Sequence, residues 1–300
     1  MNLGGKRWRP VYGMIAAESF GVDVTDLESN SLLYYILASS ELIHNASLLI
    51  DDIEDKSLKR RGEDCAHIKY GVDIAINAGN YLYFLPLSRL DEVVDPKTAL
   101  YGKLLTTMSR ELALLHYGQN WDIWWHNSTH IPTKEQYFQM TANKTGIIPR
   151  MVTKLVCQQN DCEEEKEKIM LSFTDKMGIG FQIKDDIIAV ESEDYAKARG
   201  VLCEDIHEGK KSLMIIHACN TLEKTKSDRL QKILKMGTTD NDLISEAIDI
   251  MRNAGSIEYA RQVSEELILD SYKEVDQVID HEEANKKFKQ LGNFLVNRAI

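Results

Sequence analysis

Proline is scarce in this sequence and missing from its second half. Five prolines occur among 300 residues, and none lies after Pro149. Proline breaks helix interiors because it lacks an amide donor and clashes with the preceding turn. Nothing in the second half therefore opposes long helices.

Basic charge is also in short supply. The chain has 36 Lys and Arg residues against 47 Asp and Glu residues, a formal net charge of −11. Non-specific nucleic-acid binding depends on basic surface, so this composition disfavours a nucleic-acid partner. An anionic small molecule would need a local cluster of cations to draw it in against the overall field.

Cysteines are few, and long apolar runs are absent. The five cysteines are irregularly spaced, and Cys157 and Cys162 lack the spacing of a metal finger. This pattern predicts reduced thiols in a cytoplasmic protein without a secretory signal. No apolar run is long enough for a transmembrane segment. The abrupt start at Gly4-Gly5-Lys6 raises the expectation that a preceding helix is missing.

Apolar residues recur with helical spacing through most of the chain. Leu33, Ile36, Leu37 and Ile43 follow the i, i+3, i+4 rule, with Asp26 as the expected N-cap. Strand-like alternation is absent. We predict an all-α fold with one domain over residues 1–300, a helical bundle with a central substrate cavity. Further helices are expected from Asp73 to Leu90 with a kink or break at Pro86, from Thr98 to Trp125, from Glu163 to Val190, and onward to Ile300. Another is expected from Thr133, which with Gln136 resembles a capping box, towards Pro149.

Two acidic clusters stand out, each at the end of an apolar, helix-like run. The first is Leu48–Asp55, in which Asp51 and Asp55 are four residues apart and share a helix face. The second is Phe181–Asp186, which ends in another Asp-Asp pair. Clustered carboxylates suit Mg²⁺, a hard cation that takes oxygen ligands and often binds substrate phosphates as well.

Arginines follow the first cluster at once, in Arg60-Arg61-Gly62. A single acidic motif is most often a solvated helix end, and a single Arg-Arg-Gly is most often a surface turn. Two Asp-Asp clusters with arginines beside one of them instead favour a diphosphate held through metal.

Several segments together, in order, give the chain a family resemblance. It is similar to the trans-isoprenyl diphosphate synthases over nearly its whole length, and most like the eukaryotic geranylgeranyl diphosphate synthases. One such segment alone is weak, whereas all of them in family order are specific. The matching segments are Gly5–Pro10, Glu41–Asp55, Arg60–Gly62 with His67, Asn80–Phe84, Leu115–Ile123, Lys144–Gly146, Phe181–Asp186 and Cys203–Lys210.

The resemblance implies a head-to-tail prenyl transfer. An allylic diphosphate ionises, the double bond of isopentenyl diphosphate attacks the carbocation, and a proton is lost. This chemistry needs metal and fixed donors at the departing diphosphate, a water-free cavity around the cation, and a second anion site. The expected cofactor is Mg²⁺, several ions per site, with Mn²⁺ as a substitute.

The resemblance also implies roles for particular residues. The expected metal ligands are Asp51, Asp55 and Asp185, with Asp52 as a supporting group. The allylic diphosphate is expected to meet Arg60, Lys144, Thr145, Gln182 and Lys210. The isopentenyl diphosphate pocket is expected at Lys6, Arg9, His44 and Arg61. The residues expected to set product length are Ala46, Ser47, Tyr83, Phe84 and His116.

The chain departs from the family pattern at several positions. Ala189 stands where the second motif often has Asp or Asn, so one oxygen ligand is lost. Asp64-Cys65 replaces a common Pro-Thr. A further family lysine falls near Lys197 or Arg199, and spacing does not choose between them.

Alternatives to a geranylgeranyl diphosphate synthase are a farnesyl or mixed-length polyprenyl diphosphate synthase and a non-catalytic modulating subunit. A terpene cyclase is a weaker third reading, because it has no need of Lys6, Arg9 and His44 as a second diphosphate pocket. The surviving Asp-Asp pairs favour an enzyme. The resemblance further implies a homodimer or higher homo-oligomer, and bisphosphonate inhibitors as ligands.

Overall fold

The structure is a computed structural model. It describes residue 5 and residues 7–26, 29–192, 196, 202–279 and 281–297. Lys6, Lys197 and Arg199 lie outside the described residues, so the predictions for them stay predictions.

The first part of the chain forms a helical layer interrupted by one short hairpin. The long helix α2 ends in the first acidic motif, and α4 packs along it. The bounds are α1 Trp8–Ser19, α2 Ser31–Glu54, β1 Lys59–Arg60, β2 Glu63–Asp64, α3 Ala66–Tyr70 and α4 Val72–Ser88.

Two 28-residue helices dominate the middle of the chain. They are α5, Ala99–His126, and α8, Glu164–Glu191. Between them run α6, Lys134–Thr141, a π-helical turn, Ala142–Gly146, and α7, Ile147–Gln159. The last described part packs on α8. Its helices are α9 Glu204–Glu208, α10 Leu213–Thr221, α11 Lys224–Met236, α12 Asn241–Asn253, α13 Ser256–Val275 and α14 Glu282–Asn297.

The hydrophobic core has three clusters around one bundle. One joins α2, α4, α5 and α7, a second joins α8 to the helices from α9 to α13, and a third joins α1, α8 and α14. The all-α prediction is confirmed: in the described residues the only sheet is the two-residue hairpin β1–β2, with Lys59 opposite Asp64.

Helix caps explain where several elements begin. The capping box of Thr133 and Gln136 is present as predicted, and Thr98 caps α5 by accepting from the amide of Tyr101. The predicted N-cap Asp26 is wrong. Asn30 caps α2 instead, since its side chain accepts from the amide of Leu33 at 3.0 Å.

Two prolines lie within helical segments rather than ending them. Pro86 lies inside α4. Pro149 is the third residue of α7, directly after the π-helical turn. A proline cannot donate to the carbonyl four residues earlier and crowds it, so the regular α-helical ladder cannot pass from Thr145 through Pro149. The wider turn at this point accommodates the proline.

No described helix combines the length and the apolar composition that crossing a bilayer requires. This agrees with the prediction of no transmembrane segment for the part of the chain that the structure describes.

Candidate active site

A single cavity of about 730 Å³ opens between α1, α2, α5, α8 and the π-helical turn. Both acidic motifs reach it. The predicted site residues that line it are Arg9, His44, Ser47, Asp51, Arg60, Arg61, Tyr83, His116, Lys144, Thr145, Gln182, Asp185 and Lys210.

Asp51 lies at the centre of a charged cluster in the last turns of α2. Its carboxylate accepts from Gln119 at 2.9 Å and from the Nζ atom of Lys144 at 3.3 Å, and Arg60 lies 3.8 Å away. Burial works to raise the pKa of Asp51, but Lys144, Lys210 and Arg60 outweigh it and hold the pKa well below its usual range. The carboxylate is therefore ionised and available as an oxygen ligand.

Asp52 faces away from the cavity and holds Arg60. The Nε atom of Arg60 donates to Oδ1 of Asp52 at 2.8 Å, and a second guanidinium nitrogen bonds the same oxygen. The hairpin carries Arg60 in β1 and turns through Arg61, whose φ is 56°, and Gly62. Asp52 therefore fixes Arg60 beside the last turn of α2.

Asp55 is nine-tenths buried at the end of α2 and meets Lys210 at 3.1 Å. Burial raises the pKa of Asp55 more than Lys210 lowers it. Lys210 also contacts Asp205 at 3.5 Å and Glu208, and these carboxylates raise its pKa against the effect of burial. Lys210 is thus a permanently charged ammonium beside the first motif.

The second motif is tied to the π-helical turn by a chain of hydrogen bonds. Tyr137 donates to Asp186 at 3.0 Å, and Gln182 donates to the other oxygen of Asp186 at 2.8 Å. Thr145 in turn donates to the amide oxygen of Gln182 at 2.9 Å. Asp185 lines the cavity beside this chain. Ala189 is 2% exposed and supplies no oxygen.

A second cationic region, formed by Arg9 and Arg61, lines the same cavity. Arg9 is 8% exposed, and its Nε atom finds no hydrogen-bond partner within the described part of the chain. Burial lowers the pKa of Arg9 to about 10, so it stays charged. Burial, and then Arg9 and Arg61, lower the pKa of His44 well below 6.5, so this imidazole is neutral. Gly5 lies directly against the guanidinium of Arg61, where a side chain would clash.

Part of the cavity wall is aromatic. Tyr83 and His116 meet edge to face with ring centroids 4.8 Å apart, and Ser47 lines the wall nearby. The expectation for Phe84 needs correction. Its side chain is 67% exposed on the outer face of α4, because consecutive helix residues point about 100° apart. Ala46 is fully buried in the core and does not line the cavity.

Sequence reasoning missed two residues of α5 that complete the charged cluster. Asp122 is 6% exposed and binds Lys144 at 2.6 Å and His126 at 2.9 Å. Gln119 bridges Asp51 and Glu54. Both lie in Leu115–Ile123, one of the segments that carry the family resemblance, and that segment was the available signal.

Trp8 lines the cavity, whereas the three tryptophans of α5 do not. Trp125 is buried in the core and Trp121 packs against it, whereas Trp124 is 55% exposed beside His130.

The donor set fits Mg²⁺. The ionisable acceptors at the two motifs are carboxylates, and hard cations take oxygen ligands. In the described residues no three Asp, Glu, His or Cys side chains are grouped closely enough to enclose an ion by themselves. Mg²⁺ commonly takes only one or two carboxylates and completes its shell with water and phosphate oxygens. Asp51, Asp55 and Asp185 could hold it in this way.

Comparison with known proteins agrees with this geometry. The sequence matches the model of the polyprenyl synthetase family over residues 1–251. A geranylgeranyl pyrophosphate synthase from Fusarium fujikuroi is 37% identical over 227 residues, 76% of this chain and 52% of that protein. One from Dictyostelium discoideum is 37% identical over 220 residues, 73% of this chain and 68% of that protein.

The fold has close counterparts among solved structures. The crystal structure of a geranylgeranyl pyrophosphate synthetase from Pyrococcus horikoshii superposes with a TM-score of 0.85 at 28% identity, covering 98% of this chain and 86% of that one. Fold and cavity thus define an all-helical protein with two aspartate motifs facing one central cavity. The chain belongs to the polyprenyl synthetase family.

Proposed function

We propose that the protein is a Mg²⁺-dependent prenyltransferase that condenses isopentenyl diphosphate with an allylic diphosphate, farnesyl diphosphate in the first place, to give geranylgeranyl diphosphate. The matched part spans about half of the Fusarium fujikuroi geranylgeranyl pyrophosphate synthase, and the choice of a C20 product follows from that likeness. The proposal therefore depends on the cavity as well as on that likeness.

One observation carries the proposal: a single cavity joins two separate cationic regions, one of them interleaved with aspartates. Lys144 and Lys210 meet Asp51 and Asp55, whereas Arg9 and Arg61 line the same cavity beside Glu41 and His44. A reaction between two diphosphates needs two anion sites. Only one of them has to stabilise a departing diphosphate, because only the allylic substrate ionises.

The first region suits the allylic diphosphate. Mg²⁺, when bound, neutralises charge that grows on the departing diphosphate. Lys144 and Lys210 keep their protons at neutral pH because the surrounding carboxylates raise their pKa values against the effect of burial. Breaking the C–O bond releases pyrophosphate, and these fixed ammonium groups stabilise that anion without reorganisation.

The second region suits isopentenyl diphosphate. Arg9 and Arg61 offer planar donors that bind phosphate oxygens bidentately, and neutral His44 adds a ring nitrogen without extra charge. Holding the diphosphate there places the double bond near the allylic carbon. The electrons of that double bond form the new carbon–carbon bond, and the proton that the resulting cation loses passes to the released pyrophosphate. Phe181, Ile148 and Leu115 on the cavity wall limit the access of water to the cation.

An apolar outer face supports the homodimer. Ile74, Tyr81 and Phe84 form an exposed stripe on α4, and Tyr117 and Trp124 are exposed on neighbouring α5. Such a face on a chain of 34.2 kDa fits a second copy of itself. Sedimentation equilibrium should give twice that mass, and Tyr81→Glu with Phe84→Glu should shift it towards the monomer. A monomeric wild type would refute the dimer.

The proposal places the protein in the cytoplasm, where its five free cysteines would stay reduced. Bisphosphonates, which carry two linked phosphonate groups, should compete at the aspartate-bearing site.

The test is incubation of the purified protein with labelled isopentenyl diphosphate and, separately, dimethylallyl, geranyl and farnesyl diphosphates, with Mg²⁺, Mn²⁺ or EDTA. Chromatography of the dephosphorylated products should show a C20 alcohol with either metal and no product with EDTA. A C15 or mixed-length product would instead indicate one of the other synthases. No product with any starter would favour a non-catalytic subunit.

A further inference from the structure

The π-helical turn Ala142–Gly146 carries Lys144 and Thr145, which line the cavity. Helices α5 and α8 pack closely against this turn from two sides. A side chain at Gly118 of α5 would lie 2.8 Å from the backbone nitrogen of Lys144, and one at Gly178 of α8 would lie 2.6 Å from the Cα atom of Gly146. Only glycine permits such close approach. The turn is thus held between α5 and α8 by backbone contact.

A polar anchor holds the same turn from behind. Arg150, one turn into α7, donates to the side-chain oxygen of Asn143 at 3.2 Å. The same guanidinium donates to Glu111 at 3.0 Å and to Asp175 at 3.2 Å, and Lys154 donates to the second oxygen of Glu111 at 2.6 Å. Glu111 is 2% exposed, so its own contacts with Arg150 and Lys154 are largely shielded from solvent.

These contacts connect three helices to the one residue that precedes Lys144. Glu111 lies on α5, Asp175 on α8 and Arg150 on α7, while Asn143 lies within the π-helical turn. A π-helical turn is a local widening that the regular backbone ladder does not enforce. A bond from Arg150 to Asn143 sets where the turn sits, and with it the position of the Lys144 ammonium and the Thr145 hydroxyl.

We propose that Asn143 and Arg150 are positioning residues that hold Lys144 and Thr145 in the position required for binding the allylic diphosphate. This inference rests on the proposed function, because it concerns the anion site of the first motif. The two residues act through Lys144 and Thr145 and do not touch the diphosphate themselves. A misplacement of about 1 Å at a binding group can cost on the order of 10²-fold in rate.

A purely structural role for this network predicts something different. The network would then contribute only to the stability of the fold. Two variants that destabilise the fold equally would have the same small effect on ligand affinity. Lys154→Met provides the matched control. It removes one ion pair of the buried Glu111 but leaves the contact between Arg150 and Asn143 in place.

The experiment compares Asn143→Leu with Lys154→Met in the full chain. Binding of inorganic pyrophosphate with Mg²⁺ is followed by calorimetry, and steady-state kinetics are measured with each substrate varied in turn. Asn143→Leu should weaken pyrophosphate and raise KM for the allylic substrate by about tenfold or more, leaving KM for isopentenyl diphosphate within about twofold. Lys154→Met should leave the pyrophosphate affinity and both KM values within about twofold of wild type, although its unfolding temperature should be comparable to that of Asn143→Leu.

Coupling to Lys144 distinguishes positioning from general damage. In a Lys144→Ala background, Asn143→Leu should weaken pyrophosphate by less than about threefold, because the group that it positions is gone. Arg150→Lys is the second variant, used if Asn143→Leu folds poorly. It keeps the charge but loses the forked guanidinium, and it should have the same effect on binding as Asn143→Leu. Hydrogen exchange of amides 142–146 should quicken in Asn143→Leu and Arg150→Lys but not in Lys154→Met.

The outcomes separate the two proposals. Faster exchange at residues 142–146 with unchanged pyrophosphate affinity would overturn the positioning role and leave the proposed reaction intact. Full additivity with Lys144→Ala would also overturn it. A wild-type protein that neither binds pyrophosphate nor transfers prenyl groups would overturn the proposed function and this inference with it.

Discussion

The ammonium of Lys144 lies 2.6 Å from the carboxylate of Asp122, a contact between the π-helical turn and α5. The same nitrogen reaches Asp51 at 3.3 Å. One lysine thus links the first aspartate motif to a buried aspartate that sequence reasoning did not place in the site. Its position determines how the charges of the cavity are arranged.

The first prediction concerns Asp51. Asp51→Ala should lower kcat by on the order of 10²-fold or more, because it removes a metal-ligand oxygen that acts on the transition-state charge. Circular dichroism should show an unchanged helical content. Asp228→Ala, an exposed aspartate on α11, is the control and should behave as wild type. Wild-type turnover in purified Asp51→Ala would refute the metal assignment.

The two anion sites should separate in kinetics. Arg61→Ala should mainly raise KM for isopentenyl diphosphate, and Lys144→Ala should mainly raise KM for the allylic substrate, since the two cations lie in different cationic regions of the cavity. Lys6→Ala is predicted to resemble Arg61→Ala. Steady-state kinetics with each substrate varied in turn measure this. Equal effects on both substrates in all three variants would contradict the division.

Product length should depend on side chains that line the cavity. Ser47→Phe should shift the product towards C15 by filling part of the cavity, and Tyr83→Ala should allow products beyond C20 by enlarging it. Phe84→Ala is the matched control, because this neighbouring aromatic is exposed and should leave the product at C20. Chromatography of dephosphorylated products decides the matter. Longer products from Phe84→Ala, with an unchanged C20 product from Tyr83→Ala, would show that Tyr83 does not limit product length.

The buried contact between Asp122 and Lys144 should contribute measurably to the free energy of unfolding. Burial works to raise the pKa of Asp122, but Lys144 and His126 hold it well below 3.8. Asp122→Asn should therefore lower the free energy of unfolding at pH 7 by about 3 kcal/mol, as expected when a buried ion pair loses one partner.

The pH dependence of that loss follows from the same shift. A lowered folded-state pKa stabilises the fold at pH values above the unfolded pKa, and the stabilisation disappears as pH falls through the folded value. The difference between wild type and Asp122→Asn should thus shrink as pH falls below about 3.8. Urea unfolding at each pH measures it, with exposed Asp228→Asn as the control. A difference that grows in acid would contradict the assignment.

The elements that sequence reasoning predicted well have strong local signals. The capping box of Thr133 and Gln136 and the long apolar periodicity of α2 and α5 are properties of neighbouring residues. Misplaced features depend on tertiary contacts. Phe84 follows a cavity residue by one position, and only the packing of α4 on α2 decides which of the two points inward.

The site was predictable as a set of charges but not as a set of pairs. The acidic motifs and the arginine pair are local patterns. In contrast, Lys144 meets Asp122 across 22 residues and Asp51 across 93. The π-helical turn has only one sequence signal, Pro149 four residues after Thr145, and a proline at that position does not by itself specify a widened turn.

The most direct measurement of the central claim is the ratio of pyrophosphate released to labelled isopentenyl diphosphate incorporated, with farnesyl diphosphate as starter. Prenyl transfer predicts one pyrophosphate for each isopentenyl unit joined, with both signals lost on addition of EDTA. Pyrophosphate release without incorporation would indicate a cyclase or a hydrolase and would contradict the account, as would the absence of both signals in the presence of Mg²⁺.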